Sequence, residues 1–503
     1  ESDKSGRYFM TKKHLFPSIH LLLILFSQFF IFHVSNAQVN AVIFGKNRIQ
    51  YHKFNWRFYQ SDNFNVYFTQ NGLELAKFVL QVAEEELPLM EAFTEVSIQH
   101  RCDVVLYNSY DDMQATNIGL NNTDILDFGG MTQLVNNKMI VYFNGNHADL
   151  RKQIKEGLAR ILLDSRLFGD NLGEVAGNAA LLDLPKWLTD GYIHYGAENW
   201  SPGMDDELRN ALLSGNYNNF YQFAFKQPDL AGHAFWHYLA SKYKKENVTY
   251  FIYLAILYKN LNAASQRICK KKFKDVLADF MEYESELYND DLRGRRAYPK
   301  GTISVTEDVD ENHDFYRFTP NPNKRLYTWA VTEYYKGRYS VSLVENYVNK
   351  TVLIKNGVRV YKHQRNPNYP VMAWDNKGSR LAYVYWKEDK LMLEVYDIIN
   401  RTKTVKQNLN AFFDQVQDVQ YMLDPNTLIF SAVKNGHTDI FIYKIDKQTV
   451  ERLTNDVWDD VDASFVSFPH KYGVIFASNR PSPNAINSDT SLPSKNNYNI
   501  FLV

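Results

Sequence analysis

Three short apolar runs in the C-terminal part of the chain, residues 380–384, 427–431 and 473–477, recur at an almost fixed distance. Leu381, Leu428 and Val474 hold the same place in each and are 47 and then 46 residues apart. A second run follows the first two at the same offset, at 393–397 and 440–444. Turn-forming residues separate the runs, Asp375 to Gly378 before one and Lys434 to His437 after another. An isolated strand pair cannot bury its own apolar face, so units of this kind must stack on their neighbours. A period of roughly 40–50 residues with about four strands per unit suits the blades of a β-propeller. A fainter unit at 325–370 brings the expected number to three or four. The last unit breaks off within an expected strand at 497–503, so the propeller is expected to be incomplete at the C-terminus and the chain to be part of a longer protein.

A chain of 503 residues exceeds what one core normally serves. The composition break RGRRAYPKG at 293–301 is the expected boundary between a domain at 38–298 and the repeats at 299–503. At the other end, Met10 precedes Lys12, Lys13, an apolar run at 21–34 and the small residues Ser35-Asn36-Ala37. That order predicts a signal peptide within residues 1–37, and hence export. No later stretch is apolar enough to cross a bilayer. With a formal net charge of −1, nothing favours a nucleic-acid partner. Cys102 and Cys269 are the only cysteines; in an exported protein they could pair, but they are read as separately buried thiols, and two cysteines alone cannot build a zinc site.

Within 38–298, aromatic and polar residues alternate over 54–70, as in half-buried strands, and apolar spacing predicts a helix at 72–93. Strands are expected at 102–107 and 138–143, and helices at 149–169, from 185 onward, and at 234–243, 250–258 and 273–287. The fold class is therefore α+β: a mainly helical N-terminal domain with a small mixed sheet, followed by an all-β propeller.

The helix at 149–169 buries Leu150, Ile154, Leu158, Ile161 and Leu162 on one face and carries Lys155-Glu156-Gly157-Leu158-Ala159. Pro185, Trp187, Asp190, Gly191 and Tyr195 follow in LPKWLTDGYIHYG, and AGHAFWHYLASKYKKENV lies at 231–248. These three segments resemble the gluzincin-type metallopeptidases called peptidase MA-like, over residues 56–288. The resemblance implies a zincin-like fold. It puts Glu156 at the general base, Lys155 and Ala159 at the two His ligands, and Asp190 at the third ligand, a Glu in the family. A catalytic zinc needs three protein ligands and an open position. One carboxylate remains, so no zinc or other cofactor is expected, and Glu156 and Asp190 are read as vestigial. Lys155 is expected to pair with one of them. The remnant cleft, with Lys155, Glu156, Trp187, Asp190 and Tyr195 as candidate lining, is read as a peptide-binding groove using strand-edge hydrogen bonds. The alternative is a displaced metal site built from His194, His233 and His237, of which the last two stand at the i, i+4 spacing of a helical metal pair.

The repeats resemble TolB-like propellers, most closely in DIFIYKID and the RLT that follows it. No G-x-S-x-G nucleophile motif occurs. Asp456, Asp459, Asp460 and Asp462 lack the spacing of a calcium loop and are read as a polar blade turn. Together the two resemblances match large exported envelope proteins of Bacteroidetes-type bacteria. They imply a catalytically inactive scaffold of the periplasm or outer membrane that binds envelope proteins or peptides. The alternative is a hydrolase acting through the displaced site or through a domain beyond Val503.

Overall fold

The computed structural model describes residues 50–116, 137–168, 184–295, 313–335, 338–346, 348–356, 366, 368–485 and 497–503. The expected signal segment and most of the expected boundary at 293–301 lie outside them. Among the described residues no helix is long and apolar enough to cross a membrane.

Strands β1 (Arg57–Gln60), β2 (Phe64–Phe68), β3 (Cys102–Tyr107) and β4 (Lys138–Tyr142) form one mixed sheet in that order. β1 runs antiparallel to β2, whereas β2, β3 and β4 are parallel. A parallel step needs a crossover, and α1 (Leu73–Thr94) supplies the first. Its Leu75, Ala76, Val79, Val82, Ala83, Leu87 and Met90 are buried. The half-buried alternation expected over 54–70 holds in β2 but not in β1, whose four residues are all exposed. Among the described residues β1 is an edge strand, paired only with β2.

After the short α2 (Tyr110–Gln114), α3 (His147–Phe168) leaves β4 and packs along α1, joining the same apolar core. Among the described residues seven helices follow: α4 (Lys186–Ala197), α5 (Pro202–Leu213), α6 (Phe220–Lys226), α7 (Pro228–Tyr243), α8 (Asn247–Tyr258), α9 (Leu261–Ile268) and α10 (Phe273–Leu292). Gly191 of α4 and Gly232 of α7 let these two helices touch backbone to backbone. A Cβ on Gly232 would land on the Trp187 carbonyl oxygen, and one on Gly191 on the Gly232 backbone. Trp236 Nε1 then donates to Leu188 O at 2.8 Å across the same contact.

Among the described residues the remainder consists of strands and turns, with one 3-10 turn at Lys324–Leu326. Four antiparallel meanders follow one another in sequence. The first comprises β5 (His313–Pro320), β6 (Thr328–Tyr335), β7 (Arg338–Glu345) and β8 (Asn349–Asn356). The second comprises β9 (Val371–Trp374), β10 (Arg380–Lys387), β11 (Lys390–Asp397) and β12 (Thr402–Asn408). The third comprises β13 (Gln415–Tyr421), β14 (Thr427–Lys434), β15 (His437–Lys444) and β16 (Thr449–Arg452), and the last has three strands, β17 (Asp460–Phe468), β18 (Lys471–Ser478) and β19 (Asn499–Leu502). The repeated apolar runs are β10, β14 and β18, with β11 and β15 as their partners. The fainter unit starts earlier than expected, at His313, because β5 precedes the apolar β6. Successive sheets share cores: Leu381 and Tyr383 pack with Val341 and Leu343 on one side, and Val384 and Leu393 with Val419 and Phe430 on the other.

Residues Asn47–Val503 form one compact unit. The junction between helices and sheets centres on residues 143–147, the link from β4 into α3. Gln415 Nε2 donates to Phe143 O at 2.9 Å and to Asn108 O at 2.8 Å. Thr438 Oγ1 donates to Gly145 O at 2.9 Å, and Asn368 Nδ2 to Asn144 O at 3.0 Å. Gly145 has φ +91, a conformation that demands glycine, and lies against the Gln417 side-chain amide. Val433 of β14 belongs to the helical core.

Candidate functional site

α3 and α4 face each other through residues one helical turn apart. Glu156 and Arg160 lie on one face of α3, Asp190 and His194 on one face of α4. Their pairing gives two cross-helix ion pairs. His194 Nδ1 lies 2.8 Å from Glu156 Oε1, and the Arg160 guanidinium binds the Asp190 carboxylate. Both carboxylates are deeply buried, Glu156 2% and Asp190 4% exposed. Lys152, one turn before Glu156, places Nζ 3.8 Å from Glu156 Oε1 and 2.6 Å from Glu198 Oε1. His194 Nε2 points to Asp229 Oδ1 at 3.8 Å.

The charges settle accordingly. Burial alone would depress the His194 imidazolium, but the Glu156 carboxylate, its hydrogen bond and Asp229 outweigh it and push the group up to about 9. For Glu156, burial is opposed by His194, Lys152 and Arg160, and the carboxyl is held below its ordinary value. Lys152 is raised: burial opposes its charge, but Glu156 and Glu198 favour it. The Glu156 and Asp190 carboxylates are thus paired with cations of the chain itself. Lys155 is half-buried beside Glu156 on α3.

The other candidates divide. Trp187 is a core residue, 8% exposed, packed against Phe220, Phe235 and Phe273. Tyr195 is half-buried, with its ring near Phe93 and His233. His233 is buried edge-on to Trp200, and its Nε2 has no hydrogen-bond partner among the described residues. Burial, then the neighbouring His194, Lys152 and His237, push His233 down to about 3. His237 stacks on Trp200 at 5.0 Å. Among the described residues, the one set of three or more potential ligands whose atoms lie within 4.8 Å of one another is Asp439, Asp456 and Asp460, so His194, His233 and His237 do not converge on a common point.

No family model matches the chain, and no curated protein matches it. Its likeness to solved structures is partial. TolB from Acinetobacter baumannii is 16% identical, with 41% of this chain and 43% of that one covered at a TM-score of 0.23. A puromycin-hydrolyzing peptidase from Mycobacterium tuberculosis is 14% identical, over 33% of this chain and 26% of that one, at a TM-score of 0.18. An acylaminoacyl peptidase from Pyrococcus horikoshii is 8% identical, over 35% and 28%, at 0.22. The chain spans less than half the length of each.

Sequence reasoning missed Lys152, Arg160 and Asp229. Lys152 and Arg160 stand four residues before and after Glu156, so helical spacing alone could have placed them on its face. Asp229 had no such signal, because it reaches His194 from the first turn of α7. It also borders a cavity of about 550 Å³ between α5 and α7, lined by Asn210, Ser214, Tyr217 and Gln227 among others. The acidic turn among the sheets is likewise neutralised internally: Arg480 binds Asp456 at 2.8 Å and Asp460 at 2.7 Å, Arg452 binds Asp439, and Asp459 turns to His147.

Proposed function

We propose that this chain is a catalytically inactive, peptidase-MA-like helical domain joined to a TolB-like propeller, serving as a protein- or peptide-binding scaffold of the bacterial envelope. The observation that carries the reading is the Glu156–His194 and Arg160–Asp190 pairing. A metal would enter a space already supplied with Lys152, Arg160 and a protonated His194, against their repulsion, and would have to displace the His194 contact on Glu156 Oε1 and the Arg160 contact on Asp190. The sequential four-stranded meanders with a 46–47-residue period support the propeller part of the reading.

Glu156 is also a weak general base, since His194 and Lys152 both sit on its Oε1 and hold the carboxyl below its ordinary value. The peptide groove in this reading lies along the α5–α7 cavity that ends on Asp229, because Trp187, Glu156 and Asp190 are buried and cannot line an open cleft. The competing hydrolase reading draws on two buried atoms that lack a hydrogen-bond partner among the described residues, Glu156 Oε2 and His233 Nε2. Zinc-loaded full-length protein, assayed against a mixed peptide library, is expected to show no turnover. Cleavage that Glu156→Gln abolishes, with the fold intact, would overturn the proposal.

A further inference from the structure

The turn between β14 and β15 is the tip by which the third sheet touches the helices. Gly436 sits against Leu75 of α1, Val433 enters the helical core, and Thr438 binds Gly145 O. His437 lies in the middle of this contact, with Nδ1 buried and without a hydrogen-bond partner among the described residues. Across the same junction His147 is fixed: its backbone N–H donates to Asp459 Oδ2 at 2.9 Å and its Nδ1 lies 2.6 Å from Asp459 Oδ1. Asn479 Nδ2 donates to that Oδ2 at 3.0 Å, and Phe78 and Phe143 pack on the His147 ring.

We propose that His437 makes the docking of the sheets on the helices acid-sensitive, holding the two regions together at neutral pH and releasing them as pH falls below about 6.5. The charged groups around it come from four elements. His147 of α3 and Arg452 of β16 oppose a proton on His437, while Glu74 of α1 and Asp459, beside β17, favour one. Glu74 pairs with the exposed Lys77 at 2.9 Å and Asp459 with His147 and Asn479, and the His437 Nδ1 bonds to neither of them. Burial is the largest effect, and together with His147 and Arg452 it depresses the imidazole below its ordinary value. The sign follows. Undocked, His437 meets water and protonates near its ordinary value, whereas docked it resists the proton. The undocked state therefore binds more protons in mild acid, and docking weakens by up to about tenfold per pH unit below 6.5.

Hydrogen exchange of the full chain at pH 7.5 and 5.5, corrected for intrinsic exchange rates, tests this. Protection of peptides covering 143–147 and 433–438 is expected to fall about tenfold at pH 5.5, while α7 stays protected. His437→Gln, or His437→Asn should the first variant not fold, is expected to keep that protection at pH 5.5. Equal junction protection at both pH values in the parent chain, a parallel loss in α7, or an unchanged pH response in the folded variant would overturn the proposal.

Discussion

His194 Nδ1 stands 2.8 Å from Glu156 Oε1 across the contact of α3 and α4, and one turn along the same contact Arg160 holds Asp190. The antiparallel match of two i, i+4 pairs makes each helix complete the other's charge. Breaking one partner of a buried pair leaves an uncompensated charge, so the pairs govern stability whatever else the site does.

His194→Ala is expected to cost about 3 kcal/mol in urea unfolding near pH 6, in the range for loss of one member of a buried ion pair. The pH dependence has a definite sign. His194 is raised from 6.5 to about 9, so its contribution is complete below 6.5 and is lost as pH climbs through 9. Glu156 is lowered from 4.5, so its contribution is present above 4.5 and is lost as pH falls through its depressed value. The stability gap between parent and variant should therefore be widest between pH 4.5 and 6.5 and shrink toward pH 9. A gap that grows above pH 8 would contradict the pairing.

Gly232→Ala and Gly191→Ala are each expected to destabilise by about 3 kcal/mol, at the upper end for overpacking, because backbone rather than a side chain occupies the space. Thermal unfolding reads the effect. Gly203→Ala, where a Cβ meets only Ser201 Oγ at 3.8 Å, is the control expected to change little.

These cases mark what was legible in the sequence. The helix at 149–169, the strands at 102–107 and 380–384 and the repeat period were visible because apolar spacing reports burial directly, and each became an element within a few residues. The exposed face of β1 was not, since alternation cannot tell an edge strand from a covered one. In the site, Glu156 and Asp190 stood out by motif, and Lys152 and Arg160 were within reach of helical spacing. Asp229, the His147–Asp459 contact and the core position of Trp187 depend on packing between segments distant in the chain, which local patterns do not encode.

Calcium is expected to leave the melting temperature unchanged, because Arg480 and Arg452 already balance Asp456, Asp460 and Asp439. Arg480→Gln should destabilise the last sheet by about 3 kcal/mol, as for one lost partner of a buried pair, and should introduce a calcium-dependent rise in melting temperature. A calcium response in the parent chain would show that the arginines do not close the cluster.

Cys102 and Cys269 are both buried and free. Burial pushes the Cys102 thiol up to about 12, helped by Asp103, and the Cys269 thiol up to about 11. Neither should react with a thiol reagent at pH 8 in the native state, both should react after unfolding, and reductant should not change the melting temperature. Loss of stability on reduction would mean the two are bridged.

The most direct test of the central claim is the zinc content of the purified full chain after zinc loading and desalting, read by elemental mass spectrometry. The charge-paired site of Glu156, His194, Arg160 and Asp190 predicts a folded protein with essentially no bound zinc. Zinc near one equivalent, lost in His233→Ala or Glu156→Gln, would contradict the account and restore a metal-dependent hydrolase.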